Sequence, residues 1–235
     1  MFLSRKRSLS IKVLFVSMGA MEVTYIGHSS FKLKGKNATL VTDPFNPSMV
    51  GLPFKGVSAD IITVSHQHED HNQFENVSGY SRVIDGPGEY EISGVSIIGI
   101  PSFHDDKKGK IRGKNIIFII EMDGLRFAHL GDLGHKLSEH ELESLGTIDV
   151  LMIPVGGEFT IGTADAAEIT RLIEPYLVLP MHYQTLGLKK DMFDKLSKVE
   201  PFLSDLGLPV ERTDKLTVKK ESLIDEQKVV VFEKK

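Results

Sequence analysis

The chain has 235 residues, 41% of them hydrophobic and 26% charged, which is the balance of a soluble globular protein and excludes disordered, collagen-like and membrane-bundle classes. A chain of this length buries roughly 70–75% of the surface its unfolded form exposes, so it needs no covalent staples. The absence of cysteine excludes disulfide frameworks, thiolate metal sites and cysteine nucleophiles, and a net charge of −4 lacks the basic footprint of a nucleic-acid binder.

Residues 1–20 start basic and turn apolar, but Lys12 interrupts the apolar part. The run 13–16 is shorter than the about 7–15 residues of an export-signal core and far short of the ~20 needed to span a bilayer. The expectation is an N-terminal extension, either a loose arm or a non-native start, with an export signal as the alternative, followed by a single cytoplasmic domain over 21–235.

From residue 21 onward, short β-branched runs alternate with Gly, Pro and Asp turns. This pattern predicts strands at 23–26, 30–33, 39–42, 61–65, 82–84, 90–92, 95–100, 116–121, 126–130, 150–153, 177–180 and 229–232. Helices come later. Ser138 and Glu141 spell a capping box. Thr163 is placed to cap a helix that carries Ala166, Ile169, Leu172 and Ile173 on one face and stops at Pro175, and residues 189–199 read as a further helix. A strand-rich first half followed by β/α alternation predicts two packed sheets with helices outside.

The strongest chemical signal is Ser65-His66-Gln67-His68-Glu69-Asp70-His71, directly after the apolar run 61–64. A strand running into this segment points His66 and His68 to the same face, because successive side chains alternate. Two imidazoles on one face chelate a metal, and Asp70 with His71 can turn back toward a second. A polar surface turn is the bland alternative.

This His-x-His-x-Asp-His pattern resembles the defining motif of the metallo-β-lactamase superfamily, and the family's later ligands have candidates in order. His104 closes Ile100-Pro101-Ser102-Phe103-His104, Asp132 lies in Gly131-Asp132, and His182 follows Leu179-Pro180-Met181. Upstream, Asp43 in Val41-Thr42-Asp43-Pro44 is similar to the family's first motif. With Gly27-His28-Ser29-Ser30, the chain looks most like the lactonase-like, uncharacterised metal-dependent hydrolase branch. The resemblance covers about residues 21–185.

The resemblance implies an α/β, four-layer αββα sandwich of two mainly antiparallel or mixed sheets. It implies one metal on His66, His68 and His104 and a second on Asp70, His71 and His182, with Asp132 bridging. Imidazole and carboxylate donors suit zinc first, with manganese or iron as alternatives. A dinuclear site lowers the pKa of a shared water and polarises the substrate oxygen, with Asp70 orienting the attack. No protein nucleophile is then required, which fits the lack of a Gly-x-Ser-x-Gly elbow.

Other residues carry weaker expectations. His129 is a candidate general acid or a core histidine. Asp43 is a candidate to buttress a metal-bound imidazole, against a turn aspartate before Pro44, and His28 is a candidate for the same role, against a solvent-facing turn. Arg112, in the glycine-rich basic stretch 105–115, is a candidate anchor for a substrate anion, against an ordinary solvated loop. Gly156-Gly157, Tyr183 and Glu89 stay undetermined. The expected substrate is a small, anionic ester, lactone or phosphoester, with no membrane partner. A phosphodiesterase or nuclease is the enzymatic alternative, disfavoured by the charge balance, and a non-catalytic metal sensor is the alternative of a different class.

Overall fold

The computed structural model describes residues 19–223 and 226–233, so positions 1–18 of the expected extension lie outside the described residues. In chain order the elements are β1 (Met21–Gly27), β2 (Ser30–Lys34), β3 (Thr39–Thr42), α1 (Pro47–Val50), β4 (Ile61–Thr63), β5 (Arg82–Ile84), β6 (Gly88–Ile92) and β7 (Val95–Phe103). They continue with β8 (Lys114–Met122), β9 (Leu125–His129), α2 (Glu139–Leu145), β10 (Val150–Pro154), α3 (Thr163–Ile173) and β11 (Leu177–Met181). The last elements are α4 (Lys190–Phe193), α5 (Val199–Leu206), β12 (Val210–Thr213), β13 (Leu216–Val218) and β14 (Lys228–Phe232).

The strands form two mixed sheets. A six-stranded sheet has the order β13-β1-β2-β3-β4-β5, and an eight-stranded sheet has the order β12-β14-β11-β10-β9-β8-β7-β6. In the larger sheet, β12, β14, β11, β10 and β9 run parallel, and β9, β8, β7 and β6 are antiparallel.

Alternation of side chains builds the layers. In β8, Ile116, Phe118 and Ile120 enter the core between the sheets, and Ile117 and Ile119 face the opposite core beneath the helices. Met152 and Ile153 of β10, and Leu179 and Val178 of β11, divide in the same way. Strands covered on both faces read as continuous apolar runs, which is why Val-Leu-Met-Ile and Leu-Val-Leu show no alternation. The helix-side core includes Leu145 of α2, Ala166 and Ile169 of α3 and Phe202 of α5. Outside the six-stranded sheet, a third cluster joins Val41, Ile62 and Val64 to Val50 and Phe193 of the short helices α1 and α4. The chain is thus an α/β sandwich. Among the described residues, no helix is long and apolar enough to cross a membrane.

Local expectations fail where tertiary contacts intervene. The predicted strand 61–65 ends at Thr63, because Ser65 N–H turns aside to donate to Asp43 Oδ1 at 2.8 Å. The helix expected over 189–199 is instead α4, a break and α5. Pro201 has no N–H for the Ser197 carbonyl four residues earlier, and that carbonyl accepts from Gln184 N at 2.9 Å. Thr163 does not cap α3. Gly162 occupies that position with no side-chain cap bond, and Glu174 in the left-handed conformation closes the other end. The capping box of Ser138 and Glu141 forms in both directions. β12, β13 and α1 were not expected.

Candidate metal centre

Every side chain of the cluster stands just beyond a strand. Asp43 follows β3, His66 to His71 follow β4, His104 follows β7, Asp132 follows β9 and His182 follows β11. Asp43 (φ 39°), His182 (φ 52°) and His28 (φ 55°) adopt left-handed backbone conformations. Non-glycine residues adopt this region sparingly, and such strain clusters at functional sites.

The segment 64–72 is a loop, not a strand, with His71 N and Asn72 N both donating to His68 O. His66 and His68 are therefore brought together by a turn and not by strand alternation. Their ring centroids stand 4.7 Å apart, and His104 lies 4.7 Å from His66 and 5.1 Å from His68. Donor atoms of His66, His68 and His104 all fall within 4.8 Å of one another, and so do those of His28, Asp70, His71 and His182.

Asp132 stands between the two groups. Its Oδ2 lies 3.2 Å from His104 Nε2, 3.2 Å from His182 Nε2 and 3.3 Å from His71 Nε2. Such spacings suit donors that each stand about 2.0–2.1 Å from a shared cation. Among the described residues, buried donor or acceptor atoms without a hydrogen-bond partner include Nε2 of His66, His71 and His182 and Oδ1 of Asp132. Orphaned buried polar atoms are costly, and their convergence in one place fits a cation site.

Behind the cluster, one carboxylate sets two imidazoles. Asp43 Oδ2 accepts from His71 Nδ1 at 2.8 Å and from Ser65 Oγ at 2.6 Å. With its proton given to Asp43, Ser65 Oγ accepts from His66 Nδ1 at 3.0 Å. When neutral, both rings thereby present an Nε2 lone pair to the cluster, a common arrangement around metal-bound histidines. Ser65 had no sequence signal beyond adjacency to the motif.

His28 is also drawn in. It is buried, its Nε2 lies 3.1 Å from Asp70 Oδ2, and its ring packs 4.2 Å from that of His182. Burial, with His182 alongside, pushes its pKa down to about 4 against the opposing pull of Asp70, so the ring is neutral at pH 7.

Charge within the protein-only cluster is mutually balanced. Burial disfavours a charged His71, but Asp132, Asp70 and Asp43 outweigh it and hold His71 well above the usual imidazole range. Burial likewise opposes ionisation of Asp132, and His182, His71 and His104 overcome it to hold the carboxyl well below the usual range.

Two glycines are required by close approach. At Gly131 (φ 55°) a Cβ would stand 2.3 Å from Asn115 Oδ1 and 2.6 Å from Ser65 Cβ. Asn115 Oδ1 accepts from Asp132 N at 3.0 Å, so this contact places the carboxylate. At Gly156 a Cβ would stand 2.0 Å from the His182 carbonyl. Backbone packing beside His182 thus accounts for that glycine.

His129 is fully buried, with Nε2 2.8 Å from Ser29 O and Nδ1 accepting from Gly131 N at 3.2 Å. Both nitrogens are occupied away from the cleft, so it has no free proton for a leaving group. Tyr183 is buried in the helix-side core and burial pushes its hydroxyl up to about 12. Glu89 is exposed on β6.

The stretch 105–115 closes on Asp105, whose Oδ1 accepts from Lys107 N and Gly109 N and whose Oδ2 accepts from Ile111 N and Arg112 N, all within 3.0 Å. These four backbone donors outweigh desolvation and pull the carboxyl down to about 2. A depressed carboxyl stabilises the fold above its unfolded value of about 3.9, and that contribution is lost as pH falls toward 2. Asp105→Asn should therefore lower urea resistance at pH 7, with the gap to the parent protein narrowing between pH 4 and 2.

A cleft of about 640 Å³ reaches the cluster, lined by His68, Asp70, His104 and Asp132 together with Met49, Arg112, Phe159, Met192 and Phe193.

Residues 22–182 match the family described as the β-lactamase superfamily domain. A UPF0173 metal-dependent hydrolase of Thermococcus onnurineus is 31% identical over 194 residues, covering 70% of this chain and 85% of the relative. Its counterpart from Pyrococcus abyssi is 33% identical with the same coverage. Among solved structures, a Thermotoga maritima protein described as a candidate zinc-dependent hydrolase of the metallo-β-lactamase superfamily aligns with a TM-score of 0.73 and 41% identity, over 90% of this chain and 98% of that one. Strand-end histidines and aspartates, the paired mixed sheets and these matches lead to one assignment: the chain belongs to the β-lactamase superfamily, and it groups there with the metal-dependent hydrolases.

Proposed function

We propose that the cluster holds two divalent ions, zinc first with manganese or iron as alternatives, and that the protein hydrolyses a small anionic ester, lactone or phosphoester. The observation that carries this reading is the meeting of two donor groups at Asp132. His66, His68 and His104 would hold one ion, Asp70, His71 and His182 the other, and Asp132 would serve both. When bound, such a pair supplies Lewis acidity and a water that ionises near neutral pH. Asp70 lines the cleft and is gripped by His28, which suits it to orient the attacking water. Arg112 lines the same cleft and offers a guanidinium to an anionic substrate group.

Metal analysis of the purified protein should find about two ions per chain, and a screen of lactones, esters and phosphodiesters should find turnover. His68 is the exposed member of the first donor group, so His68→Ala should leave the fold intact while lowering kcat/KM more than about 100-fold. Metal-loaded protein that turns over nothing in the screen would favour a sensor, and salt-sensitive RNA cleavage would favour a nuclease.

A further inference from the structure

The cleft has an apolar wall that the metal cluster does not use. Met49 of α1 and Met192 of α4 come to the same side because their short helices are tied together, Lys189 N donating to Val50 O at 2.9 Å. Gly51 sits so close to the turn before α4 that a Cβ there would stand 2.6 Å from Gly187 O. Phe193 anchors α4 in the outer core, which leaves Met192 38% exposed at the cleft. Phe159 completes the wall, half-buried, with ring centroids 6.4 Å from both Phe193 and His182. Methionine and phenylalanine form an adaptable apolar surface that packs against chains of varied shape.

Beside this wall stands Arg112, the one permanent cation among the described residues that line the cleft. Its backbone is clamped by Asp105, its guanidinium lies 5.7 Å over the Phe159 ring, and Nη2 donates to Glu158 O at 3.2 Å. Only part of its five-donor fork is engaged, so donors remain for a ligand at little further ordering cost. The volume of about 640 Å³ is that of a small-molecule site.

We infer that the substrate is a two-ended small molecule, with a carboxylate or phosphate held by Arg112 and an apolar acyl or aryl chain laid on Met49, Phe159 and Met192. This inference rests on the hydrolase reading for the reaction itself. Water adds across the ester bond, its oxygen joining the acyl or phosphoryl centre and its proton passing to the departing oxygen. A cleft with a single fixed cation and an apolar wall does not suit the repeated phosphates of a polynucleotide.

The test is calorimetric binding of butanoate, hexanoate and octanoate to the full-length protein with its metal, which reads the cleft independently of turnover. Affinity should rise about two- to fourfold for each added methylene, and Met192→Gln, at an exposed position, should flatten that gradient. Arg112→Gln should weaken all three acids by about tenfold or more, since a charge-assisted bond is lost. Octyl phosphate alongside octanoate separates the two anion chemistries. Affinity independent of chain length, or 1-octanol binding as tightly as octanoate, would overturn the inference even if hydrolysis is found. A clear gradient without turnover of any ester would instead overturn the hydrolase reading and leave the two-ended cleft standing.

Discussion

Asp132→Ala should lower kcat/KM by about three orders of magnitude or more, and should empty both of the proposed metal positions and not just one. Its Oδ2 lies within 3.3 Å of nitrogens from His104 of one donor group and from His71 and His182 of the other. Metal-assisted charge stabilisation is worth several kcal/mol, and each 1.36 kcal/mol is a factor of ten in rate. Metal content by elemental analysis distinguishes this outcome from His68→Ala, which touches a single donor group. The substitution also changes the chelator-treated protein. There the Asp132 carboxylate helps hold His71 protonated. A histidine with a raised folded pKa adds stability below its unfolded value near 6.5 and loses it as pH rises through the folded value. The metal-stripped parent protein should therefore be destabilised as pH rises above neutrality, and Asp132→Ala should blunt that slope. Metal uptake needs neutral imidazoles and should strengthen with pH, the opposite trend.

Asp43→Ala should cost about 3 kcal/mol or more of stability and about 10–100-fold in metal affinity. Three donors converge on this carboxylate: Ser65 N, Ser65 Oγ and His71 Nδ1. Removing it strands two buried N–H groups and frees both His71 and, through Ser65, His66 to rotate or change tautomer. Thermal unfolding of the chelator-treated protein measures the first effect, and zinc titration against a competing chelator measures the second. Ser65→Ala should move both in the same direction by less. Asp43→Asn tolerates the positive φ but places one amide N–H₂ where an acceptor is required, so it should not restore metal affinity.

The histidine and aspartate cluster was legible because a site able to hold a metal restricts residue type at each position. A row of imidazoles after an apolar run, then a histidine, an aspartate and a histidine after later runs, is a pattern packing alone does not produce. The strand positions were legible for a similar reason, since β-branched runs bounded by turn formers recur through the first half. What was not legible depended on contacts distant in the chain. His28 read equally as a support for the cluster or as a solvent-facing turn histidine until burial placed it against Asp70, and Ser65 looked like a linker until its hydroxyl joined Asp43 to His66. The acid role considered for His129 fails because Ser29, a hundred residues earlier, takes its N–H. The segment 189–199 has helical composition, yet the backbone at Ser197 is claimed by Gln184 and Gly156. β12 and β13 are short and polar on their outer faces, so no periodicity marked them.

The last part of the chain completes both sheets. β13 pairs with β1 at one edge of the smaller sheet, and β14 inserts between β11 and β12 in the larger. During synthesis on the ribosome, the smaller sheet therefore cannot reach its final partners until β13 at Leu216–Val218 has emerged, nor the larger until β14 at Lys228–Phe232 has. The nascent chain would hold exposed edges on β1 and β11 throughout, with pairings of long sequence separation still to form. Slow, cooperative refolding is the signature that this topology predicts.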